Sequence, residues 1–456
     1  MDAAAGVKAA RDGQPPAATI GDPYVPLSGN GGYSVAHYDL ELSYRPSANH
    51  IDGWARITAW AGQQLTRLSM DLAGLRVAKV NVGGRAAAKF AVRGRKLIIW
   101  PAVDIAAGDE FQVEIRYWGN PKPIRGPWGD VGWEELADGA LVAGQPNGAP
   151  SWFPCNDHPS DKATYRITMT VNSPYGVVSN GALVERRSAA SATTWVYEQV
   201  EPMATYLATV QIGRYEFVEL TSGAVPLRAV LPSRLRSRFA VDFDMQPEMM
   251  QLFERLFGPY PFLSYCVVVT DDELEIPVEA QGLSIFGANH VDGHRGFERL
   301  VAHELAHQWF GNSLSVARWQ HIWLNEGFAC YAEWLWSEQS DGPTADELAE
   351  RARARLADLP QDLVIADPGP KLMFDDRVYQ RGALTLHALR RAVGDEQFFA
   401  TLRSWTGAHR HGSVTTEEFI ALAAEAGGHD VVALLSEWLY ELRVPKLPAR
   451  HRPAGR

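Results

Sequence analysis

The segment HELAHQWFGN at 303–312, followed by HIWLNEGFACYAEW at 321–334, restricts the fold more than anything else in the chain. On a helix, His303 and His307 are four residues apart and project their imidazoles from one face. Two nitrogens about 3 Å apart across one turn can share a tetrahedral metal centre. Catalytic zinc takes three protein ligands and keeps its fourth position open. Glu326, after eighteen intervening residues, supplies the third. Its setting, IWLNEGFACYAEWLW, is apolar enough for a second buried helix packed against the first, and Gly311 is placed to end the first helix and turn the chain back. A buried carboxylate is costly unless partnered, so Glu326 needs a reason to be there. An ordinary amphipathic helix can carry HExxH by chance, but the glutamate on a following apolar helix is a separate requirement. The reading is one Zn²⁺ per chain, held by His303, His307 and Glu326. Glu304 falls beside the metal, where it can accept a proton from the attacking water.

A chain of 456 residues exceeds one ordinary core, so two domains are expected. Up to Asp22 the sequence is rich in Ala, Gly and Pro and reads as a flexible tail. From there the texture is β. Tyr38, Leu40, Leu42 and Tyr44 alternate with other residues along one strand face; so do Phe111, Val113, Ile115 and Tyr117, and again Tyr165, Ile167, Met169 and Val171. Beyond about residue 240 the texture turns helical. Thr344 with Glu347 and Thr415 with Glu418 make capping boxes, and Gly427 sits where a helix C-cap is expected. CVVVT at 266–270 is a strong strand, and GLSIFG at 282–287 reads as an edge strand beside it. The expected boundaries are a tail over 1–22, a β domain over 23–218, a mostly helical α+β domain over 219–448, and a tail over 449–456.

Composition narrows the partners. The formal net charge is -11 and there is no long Lys/Arg block, which argues against nucleic acid or an anionic membrane surface. Cys155, Cys266 and Cys330 are too few and too scattered for a disulfide framework. The N-terminus lacks an apolar signal-peptide core, and no stretch reads as long enough to span a bilayer, so a cytoplasmic location is the expectation. Fifteen tryptophans point to well-filled cores.

These residues resemble the aminopeptidase N family of gluzincin metallopeptidases, which includes leukotriene A-four hydrolase-like enzymes. The resemblance is carried by HELAH and WLNEGFA, by GQPNGAPSWFPCNDHPSDKATY at 144–165, by FGPYPF at 257–262 and by VYQRGALTLHALR at 378–390. It implies a saddle-like, all-β N-terminal domain followed by a thermolysin-like catalytic domain. It implies that Tyr379 stabilises the oxyanion of the tetrahedral intermediate, that Glu279 binds the substrate's free α-amine, and that Gln145 helps hold that amine. Around Glu279 the sequence departs from the family's Gly-Ala-Met-Glu-Asn: Ile276, Pro277, Val278 and Ala280 take the other places. A solvated acidic loop is the competing reading there, because Asp271, Asp272, Glu273 and Glu275 lie close by. Asn325 and Glu333 are candidates to support the metal ligands, with a helix-surface role for Glu333 as the alternative. His290, His294, His321 and His387 read as structural or exposed.

The expected activity is therefore a zinc aminopeptidase acting on peptides with a free N-terminus. The same zinc site used by an endopeptidase or an epoxide hydrolase is the nearest alternative, and a non-catalytic scaffold of the same fold is a second. The family's further C-terminal helical domain has no counterpart in this sequence, which leads to the expectation of a more open active site. Oligomeric state is not readable.

Overall fold

A computed structural model describes residues 16–221 and 224–450. The chain divides into two compact units, Met1–Tyr215 and Glu216–Arg456.

Among its described residues the first unit is built of β-strands with three short 3-10 turns. Its largest sheet has eight strands, in which Tyr33–Arg45 lies between His50–Ala61, antiparallel, and Ala163–Asn172, parallel. The alternating residues expected on one strand face (Tyr38, Leu40, Leu42 and Tyr44; Ile115 and Tyr117; Tyr165, Ile167 and Met169) are buried together. Register sets Tyr38 beside Tyr165, and their rings stack at 4.9 Å. A five-stranded and a three-stranded sheet complete the unit.

The segment 154–161 supplies the polar knot under that sheet. Asp71 Oδ2 accepts from the backbone of Gly29 and Asp157 and from Asn30 Nδ2, while Lys96 Nζ lies 2.6 Å from Asp71 Oδ1. The tail expected over 1–22 lies outside the described residues up to 15, and its remainder is not loose. Thr19 Oγ1 donates to the Pro26 carbonyl, and Asp22 is buried 3.2 Å from His158 Nε2. Asp22 thus finds its partner in the knot and Thr19 in the following turn, which a count of Ala, Gly and Pro does not register. Of the C-terminal tail, residues 451–456 lie outside the described residues.

The second unit carries a five-stranded sheet in the order Glu216–Thr221, Leu227–Leu231, Tyr265–Val269, Leu283–Phe286, Val278–Ala280. Leu283–Phe286 is thus an interior strand, not the edge that its length suggests, and the three-residue strand containing Glu279 is the edge. Among the described residues, eight α-helices follow the first two strands: α1 Arg236–Asp242, α2 Gln246–Phe257, α3 Glu298–Ala306, α4 Trp323–Gln339, α5 Ala345–Ala357, α6 Asp376–Val393, α7 Asp395–Ala408 and α8 Thr416–Tyr440. Both capping boxes form, at the starts of α5 and α8. Every residue of α4 from Trp323 to Trp336 is buried, so this helix is the axis of the unit.

Helix α8 corrects the expectation that no segment is of spanning length: by length and composition it could cross a membrane. Gly428, with φ 61° and ψ -141°, breaks it one residue beyond the expected cap. Each arm is about 12 residues, or about 18 Å, against the about 30 Å of a bilayer core. Phe419, Ala423, Leu435, Trp438 and Leu439 are buried, and Arg381 of α6 donates through Nε to the Trp438 carbonyl at 2.8 Å.

Candidate metal centre

Helix α3 carries His303 in its last turn and ends with His307 as its C-cap. The helix therefore stops before Gly311, whose φ of 116° accommodates the reversal. A Cβ there would meet His307 Nδ1 at 3.2 Å.

Both imidazoles are oriented through Nδ1. His307 Nδ1 donates to the Phe310 carbonyl at 3.0 Å, and His303 Nδ1 lies 2.7 Å from Glu333 Oε1. That leaves each Nε2 directed at Glu326, whose Oε2 is 3.6 Å from His303 Nε2 and 3.4 Å from His307 Nε2. Tetrahedral ligands about 2.1 Å from zinc stand about 3.4 Å apart, so the three buried donors fit that ion.

The electrostatics agree. Burial opposes charge on the histidines, yet Glu326 and Glu333 raise the pKa of His303 well above its usual value. Glu279 and Glu326 push His307 up to about 9. Against its own burial, Glu326 is held down at about 2 by the same two imidazoles. A field that draws this much positive charge onto two side chains is one that a dication satisfies.

Glu304 is buried beside the donor set, and its Oε2 has no hydrogen-bond partner among the described residues. Burial raises its pKa, with His303 and His307 opposing. Glu279 projects from the edge strand, paired in register with Ser284. It is buried, whereas Asp271, Glu273 and Glu275 of the preceding loop are exposed, so the solvated-loop reading holds for them and not for Glu279. Burial pushes its pKa up to about 8; His307 opposes this, and Glu326 and Glu304 add to it. One donor atom from each of Glu279, Glu304 and His307 lies within 4.8 Å of the others.

Tyr379 stands in the first turn of α6, its ring 6.1 Å from that of His303 and 18° from parallel. Burial first, then Glu326, Glu279 and Glu304, raise its pKa well above 10 and keep the phenol protonated. Gln145 belongs to the first unit, just after the strand Gly139–Ala143.

Glu333 is not a surface residue: it is buried, and its Oε2 accepts from Arg299 Nη1 at 2.9 Å. Asn325 corrects its expected role. It is buried, but neither amide atom has a hydrogen-bond partner among the described residues, and it packs against Gly311. Arg299 is the residue that sequence reading missed. It stands four before His303, and the i, i+4 spacing that pairs the histidines also places Arg299 beside His303. His290, His321 and His387 are buried and hydrogen-bonded to Gly287, Thr416 and Asp346, while His294 is exposed.

Comparison with known proteins agrees with this architecture. Residues 34–207 match the Peptidase M1 N-terminal domain, and residues 241–438 match the Peptidase family M1 domain. A crystal structure of a Deinococcus radiodurans M1 zinc metallopeptidase, a mutant bound to a Tyr-Ser-Ala substrate, is 30% identical. It covers 94% of this chain and 99% of its own, with a TM-score of 0.87. Aminopeptidase M1-D of Oryza sativa subsp. japonica is 28% identical over 63% of this chain and 35% of its own length. Leucyl aminopeptidase of Saccharolobus solfataricus is 23% identical over 89% of this chain and 53% of its own. The chain thus spans about a third to a half of the length of these two curated relatives.

Proposed function

The chain belongs to peptidase family M1, and from that premise we propose that it is a zinc aminopeptidase removing residues from peptides with a free N-terminus. One observation carries the exopeptidase part of this reading: Glu279, a buried carboxylate, shares a 4.8 Å cluster with Glu304 and His307. A substrate ammonium seated on Glu279 by a charge-assisted hydrogen bond brings the first peptide bond, and no later one, to the donor set.

When bound by His303, His307 and Glu326, zinc supplies Lewis-acid polarisation of the scissile carbonyl and lowers the pKa of water. Glu304, with its unengaged Oε2, accepts the proton of the attacking water and returns it to the leaving nitrogen. Tyr379, kept protonated, donates a hydrogen bond to the carbonyl oxygen as charge develops there. Glu333 accepts from His303 Nδ1 and so fixes the ring with Nε2 towards Glu326. Gln145 is proposed, on the resemblance of its GQPNGA segment, to assist in holding the amine.

The test is hydrolysis of aminoacyl amides by protein of known zinc content. Activity that falls with chelation and returns with one equivalent of zinc supports the reading. Activity that survives complete removal of zinc overturns it.

A further inference from the structure

Glu279 stands on the hairpin formed by Val278–Ala280 and Leu283–Phe286, whose loop is the two residues Gln281 and Gly282. Two-residue loops that match the twist of their strands carry a positive φ at the first loop residue. Here only the second has one: Gly282 has φ 79°, and Gln281 does not share it. The strand of Glu279 is also the sheet edge, with a neighbouring strand on one side alone. Its turn is held instead by side chains from outside the sheet.

Gln308 is the main one. It directly follows His307 at the end of α3 and is buried. Its Oε1 accepts from the Gly282 N–H at 2.8 Å, and its Nε2 donates to the carbonyls of Ala280 at 3.2 Å and Leu283 at 3.3 Å. One side-chain amide thus commits both donor hydrogens and its acceptor to a single turn. Asn312 Nδ2 donates to the same Ala280 carbonyl at 3.0 Å. Ser284, the register partner of Glu279, donates through Oγ to the Glu304 carbonyl of α3 at 3.4 Å. The clamp therefore joins the residue after a metal ligand to the residue after Glu279.

We propose that Gln308, assisted by Asn312, is a positioning residue: it sets the distance from Glu279 to the metal donors and so confines cleavage to the first peptide bond. The role presupposes that Glu279 seats the substrate ammonium. An α-amine and the carbonyl beside it span a fixed short length. A hairpin displaced by about 1 Å no longer serves both ends at once, and a misplacement of that size costs up to about 10²-fold.

Leucine hydroxamate and isocaproyl hydroxamate test this. They differ only in the α-amine, and both bind zinc through the hydroxamate. The ratio of their Kd values therefore reads how well amine and metal are reached together. Calorimetric titration of the zinc-loaded protein is expected to favour the amine by about 10–100-fold. Gln308→Met keeps the length of the side chain and removes its bonds to the turn. In that variant the ratio should fall by about tenfold, while isocaproyl hydroxamate binds as in the parent and zinc content is unchanged. Asn312→Ala removes one bond only and should show a smaller fall in the same direction; it carries the test where Gln308→Met folds poorly. A ratio undiminished in both variants would overturn the positioning role. So would an equal loss for both compounds, which would make Gln308 a support of the zinc site. No amine advantage in the parent would instead remove the contact at Glu279, and this proposal with it.

Discussion

Gly327 and Gly382 meet where α4 crosses α6: a Cβ on Gly327 would stand 2.7 Å from the Cα of Gly382, and one on Gly382 would stand 2.6 Å from the Cα of Gly327. Backbone atoms cannot yield at such distances as a flexible side chain can. The contact matters because Glu326 adjoins Gly327, and Tyr379 lies one turn before Gly382. The two glycines set the separation between a metal ligand and the phenol.

Gly382→Ala therefore tests whether helix spacing governs turnover. Helix propensity alone would make alanine the better residue by about 1 kcal/mol. Overpacking against Gly327 is expected to outweigh that and leave a net loss of about 1–3 kcal/mol. Displacing Tyr379 should lower kcat by about tenfold or more. Urea unfolding and kcat, measured on protein with unchanged zinc content, check both; a variant more stable than the parent would show that the helices have room to part.

Glu304→Gln keeps the shape of the side chain and removes its basicity. Turnover should fall by about 10²–10⁴-fold while metal analysis still finds one zinc per chain. Loss of zinc in this variant would mean that Glu304 is a ligand.

Glu333→Gln weakens the acceptor that holds His303 Nδ1 and leaves Arg299 without its partner. Zinc affinity should drop by about 10–100-fold. Competition with a chromophoric chelator measures this, and unchanged affinity would reduce Glu333 to a packing role.

In the first unit, burial and the neighbouring Asp71 push Asp157 up to about 8, with Thr205 and Lys96 opposing. A folded-state pKa above the unfolded value of about 3.9 means that the fold prefers the protonated form. That contribution is complete below the unfolded value and is lost as pH rises through about 8. Asp157→Asn should flatten the decline in urea stability between pH 4 and pH 8 relative to the parent. Parallel declines in the two proteins would show that Asp157 is ionised throughout.

The parts of the molecule legible in the sequence are those governed by short periods. His303 and His307 share a face because a helix repeats every 3.6 residues, whereas Glu333 reads equally as a support or a surface residue because its partner, His303, lies on another helix. Tyr38 through Tyr44 announced a strand by alternation. What depended on distant partners was not legible. The edge strand Val278–Ala280 has three residues after a proline and no alternation to detect, so Glu279 could be read as loop. Leu283–Phe286 became interior only because that strand lies beside it. The contact of Gly327 with Gly382 joins segments 55 positions apart, which no local pattern signals. Asp22 could be mistaken for tail because its partner, His158, lies in another part of the first unit.

The most direct test of the account compares each aminoacyl amide substrate free and N-acetylated on the zinc-loaded protein. If Glu279 seats the substrate ammonium, the free compounds are hydrolysed and the acetylated ones are turned over at least about a hundredfold more slowly, the loss expected when a buried charged contact goes unmade. Comparable hydrolysis of both would leave the metal centre standing and contradict the aminopeptidase assignment.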